Sequence, residues 1–310
     1  MSSDIAWNYN TSVWQQRLVF DGPGWRLVRR AKDGHTDDAL RRSRSAERLA
    51  SVAQQDGVRF VRPGHSEDGS VYELTACEVL AGQLWPDLRV VGRDLESLMT
   101  RVGAAIARVH TSADLTADVE EGVTSPHLRR LRAHLDADPS TWAGQAIAEL
   151  RPSVVAQVRR WLDELPTCGA LCHGGLALGS IFVDEGAQRI EVLAGEELML
   201  SVPELDLGWL LGELTEFEFQ AGVRGSSGLP YEGAAKFLLE GWTSVTGHAP
   251  DQRWIDKVIA LRSFLRMCDL AETTRSAEAA ANNVLFMTYL VERVGFLGQV
   301  PTQRAHRAIA

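Results

Sequence analysis

Cys172-His173-Gly174-Gly175-Leu176-Ala177-Leu178-Gly179-Ser180-Ile181-Phe182-Val183-Asp184 is the stretch on which the fold turns. Glycines at 174, 175 and 179 around a histidine read as a loop whose turns need small residues. Ile181–Val183 is an apolar run of the kind that forms a short strand. Residues 189–193 predict a second strand, joined to the first by a turn containing Asp184-Glu185-Gly186. A histidine loop followed by a hairpin is an island of strand in a region that is otherwise helical.

Outward from this island the apolar spacing changes to three and four. Leu95, Leu98, Val102, Ile106 and Val109 predict an amphipathic helix ending near His110. Val154, Val158, Trp161, Leu162 and Leu165 predict another, and residues 207–219, 234–245, 254–270 and 284–297 predict the rest. Residues 222–230, with Gly225, Ser226, Ser227 and Gly228, predict a flexible loop. The beginning of the chain is different. Residues 11–20 and 25–30 flank Asp21-Gly22-Pro23-Gly24, as antiparallel strands flank a turn. Val58–Val61 and residues 71–79 are again strand-like, the latter closing the sheet. Residues 37–54 predict one Arg-rich helix with Leu40, Leu49 and Val52 on its apolar face. The expected fold class is α+β and two-lobed. A small antiparallel-sheet lobe with one helix covers residues 1–82. A larger, mainly helical lobe covers residues 83–310 and carries the loop and hairpin of 171–200. The natural ligand site is the cleft between them.

The chain of 310 residues is 45% hydrophobic and 24% charged, which excludes a disordered tail and a collagen-like repeat. A net charge of −9 argues against nucleic acid and anionic membrane as partners. The apolar run 281–297 is interrupted by Asn282, Asn283, Glu292 and Arg293, so no bilayer-spanning segment is expected. Cys77, Cys168, Cys172 and Cys268 are too few for a disulfide framework. With no start like a signal peptide, the expected location is the cytoplasm. Cys168 and Cys172 lack a second Cys/His pair nearby, so no metal site is expected, and Cys172 reads as a small buried strand residue.

Residues 172–184 resemble the catalytic loop of the aminoglycoside phosphotransferase and choline kinase superfamily, H-G-D-x-x-x-x-N, with its following hairpin. Val192-Leu193-Ala194-Gly195 falls where that family has V-I-D-W. Pro203-Glu204-Leu205-Asp206-Leu207-Gly208 resembles its P-A-Y-D-L-A, continued by Leu210-Leu211-Gly212-Glu213-Leu214. Ile106-Ala107-Arg108-Val109-His110 resembles its L-A-R-L-H. Trp7-Asn8-Tyr9-Asn10-Thr11-Ser12-Val13-Trp14 is similar to the G-W-D-N-x-V-W opening of many actinobacterial members. The likeness is specific around 171–214 and implies a protein-kinase-like fold.

The departures carry more than the matches. Phosphoryl transfer needs a carboxylate to orient the attacking hydroxyl and oxygen ligands to hold Mg²⁺. The family supplies these from the Asp of H-G-D, the Asn, and the Asp of I-D-W; here those positions are Gly175, Ser180 and Ala194. The family's strand Lys or Arg aligns with Val28, and a one-residue slip offers Arg29. Lys32 is the only lysine before Lys236, and Glu47 stands at the family's helix glutamate. The frame persists: His173 and Gly174 shape the loop, Gly179 permits its turn, and Asp206 ties the loop backbone down. The resemblance with these departures implies a phosphotransferase fold that has lost phosphoryl transfer and needs neither metal nor cofactor.

His173 reads first as a backbone-bonding histidine and second as an acid or base. Glu191, Glu196 and Glu197 read as solvated hairpin residues, with Glu196 or Glu197 the alternative replacement for a lost carboxylate. Arg26, Arg29, Arg30, Lys32, Arg41, Arg42, Arg44 and Arg48 read as a solvated basic face. Glu213, Glu216 and Glu218 read as the polar face of a helix. The candidate catalytic groups are His173, Ser180, Glu196 and Arg29. The resemblance extends to phosphotransferase-like proteins of actinobacterial ribosomal-peptide pathways. It implies a peptide substrate, other biosynthetic enzymes as partners, and thioether ring formation by Michael-type addition. A non-catalytic scaffold and an active antibiotic phosphotransferase are the alternative classes.

Overall fold

A computed structural model describes residues 4–10, 14–20, 22, 24–31, 49, 56–66, 69–84, 93–116, 119, 122–184, 188–194, 197–225 and 231–297. Strands β1 (Asp4–Asn10), β2 (Trp14–Phe20), β3 (Trp25–Ala31), β5 (Gly64–Ser66) and β6 (Gly69–Leu74) form one antiparallel sheet. Its order is β1-β2-β3-β6-β5. The hairpin between β2 and β3 pairs Phe20 with Trp25, and Gly22 takes the left-handed φ of 66° that its turn requires. Alternation along β3 buries Leu27 and Arg29 and leaves Arg26 and Arg30 exposed. The expected helix over 37–54 lies outside the described residues except at Leu49, which is helical and fully buried.

The strand β4 (Val58–Val61) departs from expectation. It leaves the first sheet and runs parallel to β10 (Ile190–Leu193), pairing Val58 with Ile190 through Val61 with Leu193. Strand β9 (Ile181–Val183) lies on the other side of β10, and β7 (Glu78–Val79) pairs with β9. Residues 71–79 are thus two strands in different sheets, broken at Thr75–Cys77. Strand propensity reports a pleated, half-buried backbone and says nothing about the partner. The consequence is mechanical continuity, because Phe182 and Leu193 join Leu18, Leu27, Tyr72 and Leu74 in one apolar cluster. A further two-stranded piece pairs β8 (Ala170–Cys172) with β11 (Met199–Ser201) and brackets the histidine loop.

The remainder is helical: α1 (Leu80–Leu84), α2 (Arg93–Thr111), α3 (Ala113–Thr116), α4 (Pro126–Leu135), α5 (Trp142–Ala148), α6 (Pro152–Glu164), α7 (Glu204–Val223), α8 (Tyr231–Thr246), α9 (Gln252–Thr274) and α10 (Ala281–Leu297). The helices expected from apolar spacing after residue 83 are all present. Helix α7 runs on through Val223 into the stretch expected as loop, and residues 226–230 lie outside the described residues. Helices α2 and α8 approach at reciprocal glycines. A side chain on Gly103 would strike the Leu238 carbonyl, and one on Gly241 would strike the Thr100 carbonyl. That contact brings Trp242 against His110. No described helix is long and apolar enough to cross a membrane. An open groove of about 800 Å³ lies between α5 and α6, lined by Ile147, Leu150 and Val155 among others and by no residue of the histidine loop.

Candidate functional site

The histidine loop is held from beneath by Asp206, in the first turn of α7. Its two oxygens accept the backbone N–H groups of His173 (2.7 Å) and Gly174 (2.9 Å). His110, at the end of α2, completes the anchor through Nε2, 3.0 Å from Asp206 Oδ2. Trp242 Nε1–H donates to His110 Nδ1 at 3.1 Å, so that nitrogen carries the lone pair and Nε2 donates. Burial favours the neutral acid, but the His110 hydrogen bond, His173 and its backbone N–H together hold Asp206 below the usual carboxylate range. Gly174 has φ of 80°, and a Cβ there would strike the Glu197 carbonyl, so this position requires glycine. Gly179 has open space around it and no left-handed φ, so its turn would accept a side chain.

His173 is buried and directs Nε2 at the carbonyl oxygen of Leu193 on β10. Its Nδ1 lies 3.8 Å from Glu197 Oε2 and has no hydrogen-bond partner among the described residues. Ser180 Oγ is committed locally, donating to the Ala177 carbonyl (2.7 Å) and accepting from the Ala177 N–H (3.2 Å). Ala194 is buried at the end of β10. Val28 lies on the half-exposed face of β3, whereas Arg29 points inward, its Nη2 3.9 Å from Glu197 Oε1. Arg29 therefore departs from the solvated basic face. Lys32, Arg41, Arg42, Arg44, Glu47, Arg48 and Glu196 lie outside the described residues.

Two glutamates expected in solvent are buried, for different reasons. Glu191 on β10 accepts from the backbone N–H of Thr75 (2.8 Å) and Ala76 (2.9 Å), from Thr75 Oγ1 (2.9 Å) and from Arg59. It therefore fastens the segment between β6 and β7 to the hairpin. Glu197 is the centre of a second cluster, with His127, Arg29 and His173 around it. Desolvation would raise its pKa, but the charge and hydrogen bond of His127, then Arg29, then His173 lower it to about 2. Glu213 and Glu216 are likewise not a solvated face. Glu213 accepts from the Leu178 N–H at 2.6 Å, and Glu216 pairs with Arg262 (2.8 Å) and Arg266 (3.2 Å).

His127 is the residue that sequence reading missed. Ser125 caps α4 through the Leu128 N–H, and Pro126 occupies the position where a missing N–H costs nothing. That start places His127 in the first turn, its ring 5.5 Å from Trp209 and its Nε2 3.1 Å from Glu197 Oε1. A Cβ on Gly175 would lie 2.7 Å from His127 Nε2 and 2.8 Å from Glu197 Oε2, with Cδ2 of the ring closer still. Imidazole and glutamate fill the volume that a side chain at 175 would use. The Ser-Pro pair was a readable helix start; the approach of residues 127, 175 and 197 was not.

Among the described residues the donor set does not fit a divalent ion on a nucleotide. Gly175 and Ala194 have no side-chain ligand atom, Ser180 Oγ is bonded within its own turn, and Glu197 is already engaged by Arg29 and His127, with His173 beside it. A second trio, His110, Cys172 and Asp206, brings its ligand atoms within 4.8 Å of one another. It does not fit a metal either, since both His110 nitrogens and both Asp206 oxygens are engaged. Burial also pushes the Cys172 thiol up, keeping it protonated, and it donates to the Val202 carbonyl at 3.3 Å.

No protein-family model matches the chain, and no curated protein matches it. Solved structures do. The complex of APH(2")-IIia with GDP and kanamycin superposes with a TM-score of 0.58 at 11% identity, covering 94% of each chain. Choline kinase from Cryptosporidium parvum gives 0.55 at 10% identity, covering 97% of this chain and 91% of that one. Spectinomycin phosphotransferase APH(9)-Ia, in complex with ADP and spectinomycin, gives 0.50 at 13% identity over 97% and 94%. At such identities the likeness speaks to architecture alone. A small sheet lobe, a larger helical lobe, and a histidine loop anchored by Asp206 together give this chain the fold of the aminoglycoside phosphotransferase and choline kinase superfamily.

Proposed function

We propose that this protein does not transfer phosphoryl groups and uses the cleft to bind and modify a ribosomally made peptide, closing a thioether ring by Michael-type addition. The observation that carries the reading is the filling of the Gly175 position by His127 and Glu197. A carboxylate that orients a hydroxyl is replaced by an imidazole–carboxylate pair, which moves protons without a metal. Addition of a thiol to a dehydro amino acid needs a held conformer, one proton acceptor and a cation for the developing enolate. Arg29, fixed beside Glu197 and reaching in from β3, supports the last role. The peptide class rests on the resemblance to phosphotransferase-like proteins of ribosomal-peptide pathways.

The test is incubation with a dehydrated, decarboxylated precursor peptide, followed by alkylation of remaining thiol and mass spectrometry. Faster loss of alkylatable thiol, with no change in peptide mass before alkylation, is the expected result. Unchanged trapping together with peptide binding would replace this reading by that of a non-catalytic scaffold. A thermal shift that requires Mg²⁺ and nucleotide would favour an active phosphotransferase, the activity of the neighbours bound to GDP or ADP.

A further inference from the structure

We infer that His127, oriented by Glu197, is the proton acceptor of the cleft. The inference rests on the peptide-modifying reading and deepens it by naming a residue that none of the family's motif positions supplies. His110, His127 and His173 are the imidazoles around the loop among the described residues. His110 has both nitrogens engaged and its side chain is 1% exposed. His173 has Nε2 on a carbonyl and a sealed Nδ1, with its side chain 6% exposed. His127 alone combines an engaged Nε2, an Nδ1 with no partner among the described residues, and a side chain 18% exposed.

Glu197 decides which nitrogen that is. As a carboxylate it accepts only, so the neutral ring facing it carries hydrogen on Nε2 and the lone pair on Nδ1. Trp209 backs the ring and limits its rotation. The charged groups facing His127 are Glu197 directly, with Arg29 and His173 behind that carboxylate. In the addition, Nδ1 takes the thiol proton while sulfur bonds to the β-carbon of the dehydro residue. The π pair moves to form an enolate, and the imidazolium returns its proton to the α-carbon. Nothing is oxidised or reduced and no proton is consumed. The purely structural alternative is that His127 only packs on Trp209 and satisfies Glu197.

Two measurements on the full chain separate these roles. Diethyl pyrocarbonate at pH 7, mapped by mass spectrometry, is expected to label His127 ahead of His110 and His173. In the ring-closure assay, His127→Gln keeps an N–H for Glu197 but has no proton-accepting nitrogen. It is expected to lose roughly 100-fold in rate, with peptide binding and melting temperature retained. Glu197→Gln, which removes orientation and not the acceptor, is expected to lose less. Labelling of His127 no faster than the two buried histidines overturns the inference. So does a His127→Gln rate within a few-fold of the unmodified protein, although ring closure itself then stands. Selective labelling with no ring closure by the unmodified protein overturns the peptide reading and leaves the oriented imidazole supported.

Discussion

The space above Gly175 belongs to His127: a Cβ built on the glycine falls 2.7 Å from the imidazole Nε2. Real side-chain carbons do not tolerate that approach, so a side chain at 175 would have to displace the ring or the Glu197 carboxylate. The loop that carries Gly175 and the helix start that carries His127 are therefore fitted as a pair. Around them, Glu197 links the helical lobe to Arg29 of the first sheet.

Restoring a side chain at 175 is expected to destabilise the protein. Gly175→Ala overpacks the cluster and should cost about 1–3 kcal/mol in urea unfolding. Gly175→Asp should cost more, since its carboxylate also meets Glu197. In a His127→Ala background the penalty of Gly175→Ala should shrink. An equal penalty in both backgrounds would contradict the pairing.

Acid should unfold the protein through Glu197 and Asp269, both lowered to about 2. Against desolvation, Asp269 is held down by His134 and by Arg130, whose guanidinium bonds it at 2.9 and 2.5 Å. A carboxylate whose folded pKa is depressed stabilises above its unfolded value, and that contribution disappears as pH falls through the folded one. For Glu197, a drop from 4.5 to about 2 corresponds to roughly 3 kcal/mol. Stability measured from pH 6 down to pH 2 should therefore fall. Glu197→Gln should flatten the part of the curve below pH 4.5. Glu213, raised mainly by burial, acts in the opposite sense as pH rises.

The loop anchor has a local readout. Asp206→Ala leaves two buried N–H groups and His110 without their acceptor, and should cost on the order of 3–5 kcal/mol. Hydrogen exchange at the amides of His173 and Gly174 should accelerate in this variant well before β9 or β10 opens. Protection unchanged at those amides would show that Asp206 does not hold the loop.

The glycine contact between α2 and α8 predicts a distant effect. Gly241→Ala would strike the Thr100 backbone, forcing the helices apart at a cost of about 3 kcal/mol. The same displacement would draw Trp242 away from His110 and weaken the support of Asp206. Faster exchange at Gly174 in this variant, without a change at β1 or β2, is the expected signature.

The helical half was legible because apolar residues at three and four mark one face of each helix, as Leu95 to Val109 do in α2. The hairpin was legible from Ile181–Val183 and its turn. The partner of β4 was not, since Val58–Val61 carries no record of pairing with residues more than a hundred positions away. The buried roles of Glu191 and Glu197 were hidden for the same reason. Their partners are Thr75, Ala76, Arg59, His127 and Arg29, all distant in sequence, and a glutamate in a hairpin reads as solvated until those partners are known. His127 was nevertheless within reach. The Ser125-Pro126 pair marks a helix start, and the missing carboxylate at 175 raises the question of what fills the gap.

The central claim is that the phosphotransferase frame persists here without phosphoryl transfer. The most direct measurement follows the labelled γ-phosphate of ATP and of GTP with Mg²⁺, in the presence and absence of the precursor peptide. The account predicts that label stays in the nucleotide, released no faster than by hydrolysis in solution. Transfer of label to the peptide, or its release to water at a rate proportional to protein concentration, would contradict it.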